Sequence, residues 1–330
     1  MAVVKPFSCV RPDADLASRV AALPYDVYDR AEAKIEVNRE PLSFLAIDRA
    51  ETQFDDSVDM YSPQVYNKAK DLFEARVADK TFITDQDKTY YIYALTMDGR
   101  TQTGLVACAS IDDYLNNVIK KHENTRAEKE VDRIKHVDTL SAQTGPIFLA
   151  YRADEVITGA VNSTKESPCL YDFVSPDGIR HQVWKMTNES MVSDVAKAFE
   201  SIDSIYIADG HHRAASAVKV GLKRREENPG FTGDEEFNFF LAVLFPDEEL
   251  KILPYNRVVK DLNGLSKEAF LSKVEDNFEL SMSDVPVSPD KKGTYGMFLD
   301  NTWYLLKAKG KILSDDAVDG LDVAVLQNSL

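Results

Sequence analysis

A chain of 330 residues, 44% hydrophobic and 28% charged, has the composition of a globular protein and the length of roughly two domains. Its formal net charge of −16 opposes attraction to polyphosphate and anionic lipid, so small molecules are the expected partners rather than nucleic acid or membrane. The opening stretch MAVVKPFSCVRPDAD lacks the apolar core of a signal peptide and no apolar run approaches a membrane span, which predicts a cytoplasmic protein.

In chain order, the first part reads as mainly helical, interrupted in AALPYDVYDR by Pro24, Tyr25 and Asp26. These residues read either as a turn with a buried tyrosine or as part of a substrate site. From Ser62 to Lys80, Val65, Ala69, Leu72, Phe73 and Val77 recur at helical spacing behind Ser62 as N-cap and Pro63 at the first helical position. Asp98-Gly99 is a strong hairpin signal and predicts two antiparallel strands between Thr89 and Ile111. In IKKHENTRAEKEVDRIKH, Thr125 and Glu128 form the S/T-x-x-E capping box, so a helix begins after Thr125 and presents Lys129, Asp132, Arg133 and His136 on successive turns. His122, Glu123 and Arg126 stand at its entrance, and the run is either a solvated charged face or part of a site.

GPIFLAYR predicts a further strand, and SPDGIRHQVWKM a hairpin with Asp177-Gly178 at its tip and Trp184 on the returning strand. VSDVAKAFESI is then a helix, SIYIA a short strand, and the next helix runs to about Glu227, where Asn228-Pro229-Gly230 stops it. FNFFLAVLF reads as a buried strand that turns into LKILPYNRVV, in which Arg257 is a strand cap or a substrate-binding residue. The pattern predicts a main mixed α/β domain over 1–260 and an appended α/β segment over 261–330. The final apolar helical pattern carries no C-cap signal, which predicts a natural chain continuing past Leu330.

The three cysteines, Cys9, Cys108 and Cys169, are too scattered for a C-x-x-C pair and read as reduced structural residues. Asn162-Ser163-Thr164 and Asn188-Glu189-Ser190 are glycosylation triplets that carry meaning only in a secreted chain. The G-x-x-x-x-G-K-[ST], G-x-G-x-x-G and G-x-S-x-G motifs are all absent, so a P-loop kinase, a standard Rossmann dehydrogenase and an α/β-hydrolase have no support.

The stretch YIADGHHRAASA, Tyr206 to Ala217, carries the strongest chemical signal. It places Asp209, Gly210 and His211 between a short strand and a helix rich in alanine. The unpaired first amides of a helix and its macrodipole make an anion site. Gly210 lets the backbone approach a ligand, His211 and His212 can donate to phosphate, and Arg213 offers a permanently charged fork. Asp209 would repel an anion, which leaves it as a Mg2+ ligand, a proton acceptor or a plain helix N-cap. The adjacent histidines do not make a helical zinc site, which uses i,i+4 spacing, and no H-E-x-x-H or dense Asp/His cluster accompanies them in sequence.

LPYDV, IKKHENTRAEKEVDR, YIADGHHRAASA and ILPYNRVVKDLNG, in this order over nearly the whole chain, closely resemble the uncharacterised bacterial and archaeal family called domain of unknown function 1015. The D-G-H-H-R loop in turn looks like the phosphate-binding loop of the ParB/sulfiredoxin-like superfamily, which includes free-serine kinases. That likeness implies a ParB/sulfiredoxin-like nucleotide-binding core in which Asp209 assists the acceptor hydroxyl and His211 and Arg213 contact phosphate. Glu123 is the candidate for the kinases' separate catalytic glutamate. His211 stands where sulfiredoxin-like members carry cysteine, and no basic helix-turn-helix supports a DNA-binding role. The expected function is phosphoryl transfer from ATP or ADP, with Mg2+, to a small hydroxylated metabolite. A nucleotide-sensing protein without turnover and a non-catalytic structural protein are the alternatives.

Overall fold

The structure is a computed structural model that describes residues 1–123, 127–253 and 256–329, without side chains at 127–129. The chain forms two compact units, Met1–Leu250 and Lys251–Leu330. The sequence pattern put the boundary at 260, after LKILPYNRVV. Leu250 closes the first unit, and Lys251 to Lys260 fall in the second, with no helix or strand where they are described.

The first unit is built on a nine-stranded mixed sheet. Its strands are β1 (Val4–Lys5) and then, after a separate antiparallel pair β2 (Val10–Pro12) and β3 (Phe82–Thr84), β4 (Tyr91–Met97), β5 (Arg100–Ser110), β6 (Ile119–Lys120), β7 (Ile147–Tyr151), β8 (Tyr171–Val174), β9 (Arg180–Lys185), β10 (Ile205–Asp209) and β11 (Phe239–Pro246). Their order across the sheet is β6-β10-β7-β11-β5-β4-β9-β8, and β1 pairs with β5 beyond the residues that β4 occupies. The β4–β5 hairpin turns on Asp98 and Gly99, both at positive φ (50° and 77°), as the two-residue turn requires. In β11, Phe240, Ala242 and Leu244 on one face and Phe239, Val243 and Phe245 on the other are buried, which is why this central strand reads as an unbroken apolar run.

Two features of this sheet set up the site. β6 and β10 are parallel, with Ile205 opposite Ile119 and Tyr206 opposite Lys120, so the chain leaves both strands at the same end of the sheet. The helices Pro63–Ala78, Ala127–Leu140 and His211–Glu227 pack in succession beside that end. Ser62 occupies the N-cap position of the first of these, as predicted, but its hydroxyl makes no capping bond. The last two helices are tied by Lys219 to Glu130, by Lys223 to Asp138 (2.5 Å) and by Arg224 to Asp138 (2.9 Å). Gly221 lets the His211–Glu227 helix lie against the chain at Phe237, where an added Cβ would come within 2.4 Å of the carbonyl oxygen.

Strands β1 to β3 and β6 are two or three residues long, too short to show a period, which is why the amino-terminal pattern reads as mainly helical. The second unit contains the helix Lys267–Asn277, an antiparallel sheet in the order β12 (Phe278–Ser283), β14 (Thr302–Ala308), β13 (Thr294–Leu299), and the helix Asp322–Ser329. Val274, Phe278, Tyr304, Leu306 and Val325 form its own core. Among the described residues, no helix is long and apolar enough to cross a membrane.

Candidate functional site

β10 ends at Asp209, and Gly210 turns the chain into the His211–Glu227 helix with φ 92° and ψ 31°. A Cβ at Gly210 would make only ordinary contact with Ile147, at 3.7 Å, so the left-handed backbone and not crowding is what asks for glycine. Gly210 is also the N-cap, and no side chain caps the helix. The plain capping role considered for Asp209 is thereby excluded, because the helix starts one residue later than a cap at Asp209 would require. The first helical bond runs from the Ala214 amide to the Gly210 carbonyl at 2.9 Å, which leaves the amides of His211, His212 and Arg213 without partners inside the helix.

The exit of β6 supplies the second half of the site. The His122 amide donates a long hydrogen bond to Nε2 of His211 at 3.4 Å, and the two imidazoles meet edge to face with centroids 4.4 Å apart. Nε2 therefore accepts, and Nδ1 lies 3.6 Å from Oε2 of Glu123. His211 is only 5% exposed, whereas Glu123 is 63% exposed. Burial first, and the neighbouring His122 second, hold the His211 imidazolium below its ordinary pKa, against the opposing carboxylates of Glu123 and Asp209. Donor atoms of His122, Glu123 and His211 all lie within 4.8 Å of one another. The sequence showed no such cluster and placed the metal ligand at Asp209. The three residues converge because parallel β6 and β10 end together, across a gap of 89 positions from His122 to His211.

Arg213 extends the site in the other direction. Its Nη1 reaches the Pro146 carbonyl at 3.5 Å, and its guanidinium lies 5.7 Å from the centre of the Tyr25 ring. A Cβ on Gly145 would come within 3.0 Å of that nitrogen, so the bare glycine leaves the guanidinium its room. The Arg133 guanidinium also lies over the Tyr25 ring, 4.0 Å from its centre. Arg49 fixes this tyrosine loop from below by donating to the carbonyls of Tyr25 (3.0 Å) and Tyr28 (2.7 Å), while it pairs with buried Glu51. Tyr25 and Asp26 then open onto a cavity of about 240 Å³ whose wall includes Asp48, Tyr66, Arg133 and His136.

The charged run on the Ala127–Leu140 helix is not a solvated face. Glu130, Arg133 and His136 are 4%, 8% and 3% exposed and point into the protein at helical spacing. Each is compensated: Glu130 by Lys219, Arg133 by Asp132 at 2.7 Å, and His136 by the Ile47 carbonyl at 3.3 Å. Burial first, then the charge of Arg133, push the His136 imidazolium below its ordinary pKa. Nδ1 of His212 is buried without a hydrogen-bond partner among the described residues.

Of the sequence-predicted site residues, the structure brings together His122, Glu123, Asp209, Gly210, His211 and Arg213, with Tyr25 beside Arg213 and Asp26 on the wall of the adjoining cavity. Arg126 and the capping box at Thr125 and Glu128 fall outside the described residues or side chains. Arg257 is exposed in the second unit. Sequence reasoning missed Asp48 and Arg49, which lie in an apolar-looking stretch, FLAIDRA, with no motif to mark them.

No curated protein and no solved structure matches the chain. The family model described as "Protein of unknown function (DUF1015)" matches residues 4–324, nearly the whole chain, and the protein belongs to that family.

Proposed function

We propose that this protein is a nucleotide-dependent phosphotransferase that acts on a small hydroxylated metabolite. The nucleotide's phosphates sit at the start of the His211–Glu227 helix, and the acceptor occupies the cavity beside Tyr25 and Asp26. One observation carries the reading: Arg213, at an uncapped helix start, has no carboxylate partner among the described residues, although the chain holds 55 acidic residues against 39 basic ones. In so acidic a protein, an arginine left to a carbonyl and a ring is available to an external anion. The likeness of the D-G-H-H-R loop to that of free-serine kinases in the ParB/sulfiredoxin-like superfamily supports the same reading.

Phosphoryl transfer needs position and charge neutralisation more than covalent chemistry. The acceptor's hydroxyl oxygen forms a bond to the terminal phosphorus, and the bridging oxygen–phosphorus bond breaks with its electron pair leaving on the nucleotide, ATP becoming ADP or ADP becoming AMP. Glu123 or Asp209 takes the hydroxyl proton, since both carboxylates stand around His211. Asp209 is exposed at the strand end and suits a Mg2+ ion carried in by the nucleotide, which would supply charge neutralisation. His211, His212, the helix-start amides and Arg213 hold the phosphates without adding negative charge.

The test pairs binding with turnover. Wild type incubated with magnesium ATP or ADP and a panel of amino acids and sugars should consume nucleotide and yield a phosphorylated product. Asp209→Asn should bind nucleotide with similar affinity and lose roughly 10²-fold or more in transfer. A wild type that binds nucleotide yet never consumes it overturns phosphotransfer in favour of nucleotide sensing. Absence of any nucleotide binding removes both readings and leaves a structural protein.

A further inference from the structure

We propose that His122, Glu123 and His211 form a binding site for a divalent transition-metal ion of the zinc and cobalt kind. Two imidazoles and one carboxylate are the donors that such ions prefer, whereas magnesium takes oxygen ligands and keeps most of its water. The three donor atoms already lie within 4.8 Å of one another. Around a tetrahedral ion they would stand roughly 3.3 Å apart, given metal–ligand bonds of about 2.0–2.2 Å. The necessary contraction falls on the exposed partners: His122 and Glu123 lie on the segment leaving β6, while His211 is buried on the helix.

The electrostatics agree independently of the spacing. Among the described residues, the only ionic partner of Glu123 is the His211 imidazole, and neither lysine nor arginine reaches Glu123 or Asp209. Among the described residues, two carboxylates therefore stand beside His211 with no lysine or arginine between them, and Arg213 turns instead towards Pro146 and Tyr25. Three protein ligands leave at least one coordination position open, the pattern of a catalytic rather than a structural site. That position is available to water or to an anion at the adjoining helix start. The inference does not rest on phosphoryl transfer, because the metal alone tests it.

The whole chain is stripped with a chelator and titrated with Co2+ in the absence of nucleotide. The expected result is one equivalent of cobalt bound per chain with the intense visible absorption of a four- or five-coordinate ion, bleached by one equivalent of Zn2+ and unaffected by a large excess of Mg2+. His122→Ala and Glu123→Gln alter exposed side chains and should fold normally, and each should weaken cobalt binding by about tenfold or more. His211→Ala should abolish the band, with circular dichroism reporting whether that variant folds. No saturable binding, equal displacement by magnesium, or unchanged affinity in His122→Ala would overturn the site. Nucleotide titration of the chelated protein separates the two proposals: nucleotide binding without a cobalt site defeats the metal inference alone, and a cobalt site without nucleotide binding defeats the phosphotransferase alone.

Discussion

Removing the guanidinium of Arg213 should damage ligand binding far more than it damages the fold. In the free protein Arg213 makes one marginal hydrogen bond, 3.5 Å to the Pro146 carbonyl, and a ring contact with Tyr25 at 5.7 Å, near the outer limit of a cation–π interaction. Those two contacts together stabilise the unit by about 1 kcal/mol at most, which for a unit of this size is a fall of roughly 2–4 °C in Tm. A charge-assisted bond to a phosphate is worth about 1.5–3 kcal/mol, so Arg213→Ala should weaken nucleotide binding by roughly 10- to 150-fold. Arg213→Lys keeps the charge without the two-pronged geometry and should fall between wild type and alanine. Isothermal titration with nucleotide and a thermal melt without it give the two numbers on the same preparation. An alanine variant that binds nucleotide as wild type does, or that melts more than about 10 °C lower without ligand, would show that Arg213 holds the fold rather than an anion, and the assignment of the helix start as a phosphate site would fail.

Two further predictions follow from the backbone and from the buried histidines. Gly210→Ala should cost about 1–2 kcal/mol, because φ 92° is strained for alanine while the Cβ itself has room, and Gly210→Asn should cost less; denaturant melts measure both. His136 is buried with a folded pKa depressed below the ordinary 6.5, so the unfolded chain binds its proton first as pH falls. The stabilisation from neutral His136 is therefore complete above pH 6.5 and is lost as pH drops from there towards the folded value. Subtracting the stability of His136→Gln from that of wild type across this range should isolate the slope; a flat difference would mean that the folded protein does not shift His136, and a slope of the opposite sign that His136 is held protonated there.

Much of this architecture is determined locally and was legible in the residues. Asp98-Gly99 set the β4–β5 hairpin because only a turn with two positive φ angles matches the twist of the strands it joins. The strand–Gly210–helix order was equally plain, since SIYIA, a glycine and a run of small residues each obey a short-range rule. Reading the charged run from Ile119 to His136 as a surface or a site could not be settled that way. Its charges have the spacing of a solvated helix face, and only the packing of the helices Pro63–Ala78 and His211–Glu227 on either side buries Glu130, Arg133 and His136.

The identities of His122, Glu123, Asp209, His211 and Arg213 were visible in the sequence, but their meeting was not. No local rule connects positions 89 apart; the parallel pairing of two short strands does, by delivering both chain exits to one end of the sheet. The same holds for the Tyr25 loop, which reaches Arg213 and Arg133 because Arg49 ties its carbonyls down from a separate segment. Sequence thus determined which groups this protein possesses and the turns that carry them. Tertiary structure decided which groups share a site, because pairing and packing between distant segments set those distances, and propensity along the chain does not encode them.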